Sequence, residues 1–137
     1  MIKFTDFAKS HCPICHRKDF LNEQYANIGH YDCKFCLDDD TWSFSFNIKG
    51  FLIDGAIKDC LSGVAYIKKS TMVDMYFEEN TGKYGSYKIS DHKFHASVCR
   101  VDYLKEHVKE ITLTPNDVLD FDKIKAIITD YERYLNF

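Results

Sequence analysis

Residues 12–36 read CPICHRKDFLNEQYANIGHYDCKFC and place four cysteines in two pairs, each pair with two residues between its members. Seventeen residues separate Cys15 from Cys33, a spacing typical of a four-thiolate zinc site. Zinc binds four ligands tetrahedrally, and two intervening residues form a turn tight enough to bring both sulfurs of a pair to one ion. The spacing therefore predicts structural Zn²⁺ bound by Cys12, Cys15, Cys33 and Cys36.

The residues around the pairs support this prediction and indicate a closed site. Pro13 suits the first turn because its φ is fixed, and Gly29 can adopt the positive φ of a turn that folds the intervening segment back. Four thiolates fill the coordination sphere, whereas catalytic zinc keeps an open position. His11, His16 and His30 are alternative ligands, although loop histidines beside the metal are the simpler interpretation.

Other interpretations of the cysteines stay open. Residues 12–16 match the C-x-x-C-H motif of c-type haem attachment, and the first pair alone matches a redox-active pair. Both leave the second pair unexplained, and haem attachment requires export, for which no signal peptide is visible. Four thiolates also suit an iron–sulfur cluster. Unmetallated or disulfide-bonded cysteines are the last alternative.

Length and composition favour one domain of ordinary size with a small metal module. The chain has 137 residues, of which 45% are hydrophobic and 15% aromatic, and no segment of low complexity. The sequence opens without an apolar run of signal-peptide length, and no stretch reaches the ~20 apolar residues of a membrane span. Six cysteines in such a sequence indicate a reducing compartment. We therefore expect a cytoplasmic protein without a membrane segment.

Period-two patterns predict a sheet after the metal module. Residues 42–48 alternate apolar and polar side chains without a break, which predicts a half-buried strand. Its inward face would carry Trp42, Phe44, Phe46 and Ile48. Further strands are predicted over 50–54, 64–69, 72–78, 84–89 and 93–101, with a hairpin turn at 80–83 and a short helix or turn over 56–61. We expect an antiparallel sheet of about five or six strands.

The end of the chain changes to helical period. Apolar residues recur at helical spacing at Ile124, Ile127, Ile128, Tyr131 and Leu135. This pattern predicts an amphipathic helix over about 120–136 that covers one face of the sheet, with Asp120 or Thr114–Pro115 at its start. The predicted fold class is α+β. It comprises a metal module (residues 1–41) and a β-rich domain (residues 42–137), joined without a Pro/Gly/Ser linker.

Charge discriminates among functions. Residues 1–41 hold five Lys/Arg and seven Asp/Glu, and four thiolates with one Zn²⁺ add a further −2. Duplex-binding modules carry a basic face, so this acidic module disfavours duplex binding. The cations near the cysteines are Lys9, Arg17, Lys18 and Lys34, with Asp19 and Asp38, Asp39 and Asp40 among them. A second, central set interleaves Lys58, Lys68, Lys69, Lys83, Lys88 and Lys93 with Tyr66, Tyr84 and Tyr87, which suits base stacking in a single-strand binder or simply a solvated sheet.

Residues left over from the metal site give little sign of catalysis. Cys60, His92, His95 and Cys99 suggest a second metal site, but His95 and Cys99 would stand roughly 13 Å apart on a straight strand. Buried free thiols are the simpler reading. Asp91 with the two histidines would suit acid–base work, but no nucleophile lies nearby in the sequence and no enzyme motif is present. We predict no catalytic residues and no enzymatic activity.

The two turns Cys12–Cys15 and Cys33–Cys36 resemble the knuckles of zinc-ribbon proteins, a type common in transcription and RNA processing. The resemblance covers residues 9–40, and it implies a bound metal rather than an activity. Zinc-ribbon knuckles usually have a glycine after the second cysteine, where this chain has His16 and Leu37. The layout of an N-terminal ribbon, a β-rich middle and a closing helix also resembles small tailed-bacteriophage proteins.

These observations predict a zinc-stabilised binding or adaptor protein without catalytic activity. Its partner is expected to be a protein, and the resemblance to bacteriophage proteins implies the role of a phage-encoded accessory or virion-associated factor. A single-stranded nucleic-acid-binding or transcription-associated protein is the main alternative, and an enzyme of unknown class is the third.

Overall fold

Six antiparallel strands and one helix make up the described part of the chain. The computed structural model describes residues 11–22, 28–36, 42–53, 55–77, 94–100, 108–113 and 117–135. The elements are β1 (His30–Asp32), β2 (Trp42–Ile53), β3 (Ala56–Lys68), β4 (Thr71–Phe77), β5 (Phe94–Arg100), β6 (Lys109–Ile111) and α1 (Phe121–Leu135). The strands form one sheet in chain order from β1 to β6. The predicted α+β class is confirmed.

The two long strands β2 and β3 form the centre of the sheet. Phe44 and Phe46 are buried, as the alternation in β2 predicts, and Trp42 and Ile48 on the same face are half-buried. Asn47 pairs with Gly63 and Ile48 with Leu61, so Ser62 is an extra residue in β3. This bulge shifts the alternation of side chains along β3 by one residue. As a result, Leu61 and Val64 lie on the same buried face although three positions separate them.

One predicted element is wrong. Residues 56–61 continue β3 rather than forming a short helix or turn, and the strand predicted over 50–54 is the end of β2. Ile53 pairs with Ala56, so a two-residue connection joins the strands, with Gly55 at a φ of 82°. The strands predicted over 72–78 and 93–101 are confirmed as β4 and β5. The turn at 80–83 and the strand over 84–89 lie outside the described residues.

Helix α1 covers one face of the sheet, as predicted. Its first turn is capped by Asp120, whose Oδ1 accepts a hydrogen bond of 3.2 Å from the Lys123 amide. Ile124, Ile128 and Tyr131 are buried where the helix packs against β4 and β5. Trp42 meets Phe121 edge-on at a centroid distance of 4.8 Å. The alternative start at residues 114–115 lies outside the described part of the chain.

Short backbone contacts join the cysteine-bearing segments to the sheet. β1 pairs with residues 45–47 of β2, and Leu21 forms an isolated bridge with Cys33. Gly29, at a φ of 73°, lies so close to β2 that an added Cβ would be 2.6 Å from the Ile48 carbonyl oxygen. The described part of the metal module is therefore continuous with the sheet through its edge strand.

Candidate metal centre

The first knuckle, Cys12–Cys15, is a tight turn whose amides point at its sulfur. The His16 amide donates to the Cys12 carbonyl at 2.9 Å, and the Ile14 amide donates to the Cys12 sulfur at 3.4 Å. His16 has a φ of 58°, the left-handed conformation that glycine usually provides after a knuckle. The sequence departs from the usual glycine here, yet the chain keeps the conformation of the turn.

The second knuckle, Cys33–Cys36, likewise directs an amide at its first sulfur, and it is positioned by the sheet. The Cys36 amide donates to the Cys33 sulfur at 3.4 Å. The Cys33 amide donates to the Phe44 carbonyl at 3.0 Å, and the Lys34 amide donates to the Phe20 carbonyl at 2.8 Å. Strand β2 and the segment after the first knuckle thus fix the second pair of sulfurs.

The four sulfurs meet in a cluster of the size that one tetrahedral ion requires. All of them lie within 4.8 Å of one another. The Cys12 and Cys36 sulfurs are 3.8 Å apart, and those of Cys15 and Cys33 are 3.6 Å apart. A tetrahedron with Zn–S bonds of ~2.3 Å has edges of ~3.8 Å. A disulfide bond measures only ~2.05 Å, and all four cysteines are free. The residues predicted as ligands can therefore hold one metal ion.

Burial separates Cys15 from the other three cysteines. Cys12, Cys33 and Cys36 are at most 3% exposed, whereas Cys15 is half-buried. Burial raises the pKa of Cys12 to about 12 and raises that of Cys36 as well. Burial also pushes the pKa of Cys15 upward, but the Arg17 amide and the neighbouring thiols outweigh it, so the net shift is downward. Buried sulfurs of this kind need a cation beside them before they can persist as thiolates.

The histidines near the cysteines do not belong to the cluster. Within the described residues, the only group of potential metal ligands consists of the four cysteines. His11 and His16 are exposed. The Nδ1 atom of His30 lies 2.7 Å from Asn47 Oδ1, and its Nε2 atom lies 3.9 Å from the carboxylate of Asp32. The simpler interpretation, loop histidines beside the site, agrees with the positions of His11 and His16, whereas His30 lies on strand β1.

The structure does not assemble a second metal site from the described residues. Cys60 lies on β3 opposite Lys49, whereas Cys99 lies on β5 opposite Met72, whose own partner in β3 is Ile67. The β2 partners of Cys60 and Ile67, Lys49 and Ser43, are six positions apart, which is ~20 Å along a strand. His95 is exposed and stacks on Tyr76 at a centroid distance of 5.3 Å. Asp91 and His92 lie outside the described residues.

Tyr66 cannot serve as a stacking platform for a nucleic-acid strand. It is 0% exposed, and its hydroxyl donates to the Val118 carbonyl at 2.7 Å. Burial, followed by the charges of Cys12 and Asp120, raises its pKa. Lys68, also from the predicted central set, lies over the Trp42 ring at 5.9 Å and beside Glu132 at 3.8 Å. Among the tyrosines that alternate with lysines in the sequence, Tyr66 is therefore a core residue.

Sequence reasoning did not single out Phe35, which lies inside the second knuckle. Arg17 and Lys34 both place their cationic groups over its ring, at 4.8 Å and 5.4 Å from the centroid. The sequence does show an aromatic residue between two candidate ligands, one cation shortly after the first knuckle (Arg17) and another inside the second (Lys34). This signal is weak, because sequence separation alone does not show which cations meet the ring.

Comparisons with protein-family models, with curated proteins and with solved structures find no match to this chain. The likeness to a zinc ribbon therefore depends on the four clustered cysteines, which are consistent with such a segment. The resemblance to bacteriophage proteins stays a prediction. Among the described residues, no helix has the length and apolar character that a membrane crossing needs.

Proposed function

We propose that this protein is a non-catalytic binding protein whose N-terminal segment is folded around structural Zn²⁺. The observation that carries the metal part is the cluster of four cysteine sulfurs within 4.8 Å of one another. A tetrahedral set of four thiolates selects zinc or iron over harder ions. Zinc would supply a fixed tetrahedral charge that holds the two knuckles together, with no redox chemistry.

The donor set supports a structural rather than a catalytic role for the ion. Cys12, Cys15, Cys33 and Cys36 supply four ligands, the full coordination of structural zinc, so no position is left for a water molecule or a substrate. Three of these side chains also belong to the hydrophobic core that β2, β3 and β4 build. An ion at this place would stabilise the fold.

The partner that we propose is a protein, bound in a reducing, cytoplasmic compartment. The chain has a formal net charge of −3, and Zn²⁺ with four thiolates adds −2, which opposes a polyanionic strand. Large side chains of the kind enriched at protein interfaces are exposed, among them Tyr76 at 55% and Tyr134 at 52%. The six cysteines form no disulfide bonds, which suits a reducing compartment.

Metal analysis of the purified full chain tests the zinc part of this proposal. We expect one zinc per chain by elemental analysis, and intense thiolate-to-metal absorption after replacement of zinc by Co²⁺. Cys33→Ser should abolish stoichiometric binding because it removes a buried ligand. Cys99→Ser is the matched control, because this half-buried cysteine lies outside the cluster. Less than one zinc per chain, or a coloured iron cluster, would contradict the proposal.

A further inference from the structure

Two cations from different parts of the metal module converge on one aromatic ring. Arg17 follows the first knuckle and Lys34 lies inside the second, yet both cationic groups lie within 5.4 Å of the Phe35 centroid. Both cationic side chains are exposed, and so is the neighbouring Lys18. We call Arg17, Lys34 and the Phe35 ring the cationic patch.

The exposed side chains around this patch favour an anionic partner, although the buried cluster of four thiolates with Zn²⁺ would carry a charge of −2. Residues 11–22 and 28–36 contain three Lys/Arg and two Asp/Glu side chains. Of the two acids, Asp32 lies on β1 beside His30, with a side chain only 16% exposed. Asp19 is thus the one exposed acid within these two described ranges.

The backbone beneath the patch is held in place before any partner arrives. The Lys34 amide is bonded to the Phe20 carbonyl at 2.8 Å, and the Arg17 carbonyl accepts from the Cys12 amide at 3.2 Å. Phe35 packs against the hydrophobic core. A preformed surface of this kind binds at a lower entropic cost than a mobile one. Arginine and aromatic side chains are also enriched among the residues that dominate protein interfaces.

We infer that the cationic patch docks an acidic segment of a protein partner, an inference that rests on the proposed protein-binding function. The Arg17 guanidinium presents a planar fork that pairs with a carboxylate through two hydrogen bonds, while the Phe35 ring offers apolar contact beside it. A peptide needs to place only one or two carboxylates here. A nucleic-acid strand would bring a phosphate with every nucleotide toward a chain of net charge −3.

Selection from a random peptide library displayed against the zinc-loaded full chain tests this inference. We expect the enriched peptides to carry Asp or Glu next to apolar residues. Fluorescence anisotropy of one labelled, synthesised peptide then measures its affinity. The double variant Arg17→Ala/Lys34→Ala should weaken this affinity at least about tenfold, and added salt should weaken binding to the wild type. The single variant Arg17→Lys, which keeps the charge but not the planar fork, should lose less affinity than the double variant.

Lys125→Ala is the matched control, because Lys125 also lies over an aromatic ring, that of Phe121, at 4.9 Å, but on helix α1. It should leave the affinity unchanged. The inference is overturned if nothing is enriched, if the enriched peptides lack acidic residues, or if the double variant binds as well as the wild type. Tighter binding of a labelled oligothymidylate that depends on Arg17 and Lys34 overturns it in favour of nucleic acid.

Zinc content separates the failure of this inference from the failure of the proposed metal site. A chain with one zinc and no enriched peptide contradicts the docking inference alone. A chain without zinc that still binds acidic peptides through Arg17 and Lys34 supports the docking surface and contradicts the metal site. If the double variant loses zinc but keeps its peptide affinity, the two cations serve only to offset the charge of the thiolates, and the inference fails.

Discussion

At the scale of single residues, His16 shows where the chain keeps a geometry at some energetic cost. Its φ of 58° lies in the left-handed region, which costs a residue with a Cβ about 1–2 kcal/mol. This conformation directs the chain after His16 back toward the knuckle, where the Arg17 carbonyl accepts a hydrogen bond from the Cys12 amide at 3.2 Å. The metal site therefore constrains the backbone at this position more strongly than it constrains the side chain.

His16→Gly should stabilise the zinc-loaded protein by about 1 kcal/mol, because glycine adopts the left-handed conformation without a steric penalty. Urea unfolding of the loaded protein measures the gain. Lys18→Gly is the control, because Lys18 is exposed and does not have a positive φ, so the added flexibility should only destabilise. If both variants lose stability, His16 contributes a contact that outweighs the strain.

Asp74 on β4 makes the stability of the fold depend on pH. Burial raises the pKa of its carboxyl group and outweighs the opposing hydrogen bond from the Met75 amide. A raised folded-state pKa favours the protonated form, so this contribution to stability is fully present below the unfolded-state pKa of ~3.9 and is lost as the pH rises through the folded-state pKa. At neutral pH the ionised carboxylate therefore destabilises the fold.

Asp74→Asn should consequently be more stable than the wild type at neutral pH. The gain should stay below about 1 kcal/mol, because the side chain is only partly buried. Urea unfolding of both proteins over a pH series, down to the lowest pH at which both fold, should show the difference narrowing as the pH falls. The exposed Asp59→Asn controls for the loss of one negative charge. A difference that widens toward acid pH would contradict this account.

At the scale of elements, the sequence predicts the strands and helices that bury one face and expose the other. Residues 42–48 and helix α1 show a clean period because one face of each meets the core. The prediction fails for residues 56–61, which lie between Gly55 and Gly63 and whose apolar residues are interrupted by the adjacent Lys58 and Asp59 instead of alternating with polar ones. Pairing with β2 outweighs the weak strand propensity there, and the bulge at Ser62 breaks the period that would reveal the strand.

In the candidate site, too, one part is predictable from the sequence and another part is not. The clustering of Cys12, Cys15, Cys33 and Cys36 is predictable because their spacing is typical of residues that bind one tetrahedral ion. The meeting of Arg17 with Phe35 is not predictable, because it depends on how the two knuckles lie against each other. The spacing of residues therefore predicts local geometry, whereas contacts between separate segments can be identified only in the structure.

The N-cap of α1 gives a prediction at this scale. Asp120→Ala should lower the free energy of unfolding by about 1 kcal/mol, because the Lys123 amide loses the carboxylate oxygen to which it donates at 3.2 Å. Asp120→Asn keeps an oxygen that can accept this bond and should lose much less. Denaturant unfolding with an unchanged m-value measures both losses. Equal losses in the two variants would show that the charge near the helix start, and not the cap, provides the stability.

At the scale of the whole molecule, the four-cysteine cluster and the sheet share one hydrophobic core. Cys12, Cys33 and Cys36 are buried together with Phe44 and with apolar residues from β3, β4, β5 and α1. The buried hydroxyl of Tyr66, a residue of β3, bonds to the Val118 carbonyl just before the helix. The cysteine-bearing segment is thus one wall of the core rather than an independent unit.

Removal of the metal should therefore destabilise the entire fold and not the knuckles alone. Chelation or Cys33→Ser should lower the melting temperature by roughly 10 °C or more, in a single transition, because the loss of even a few kcal/mol has this effect in a chain of such size. Hydrogen exchange should accelerate in β4 and β5 as well as in the knuckles. Cys99→Ser, which keeps the four ligands, should respond to chelation as the wild type does. Two separate transitions, or a sheet whose exchange is unchanged, would mean that the segments fold independently despite their shared core.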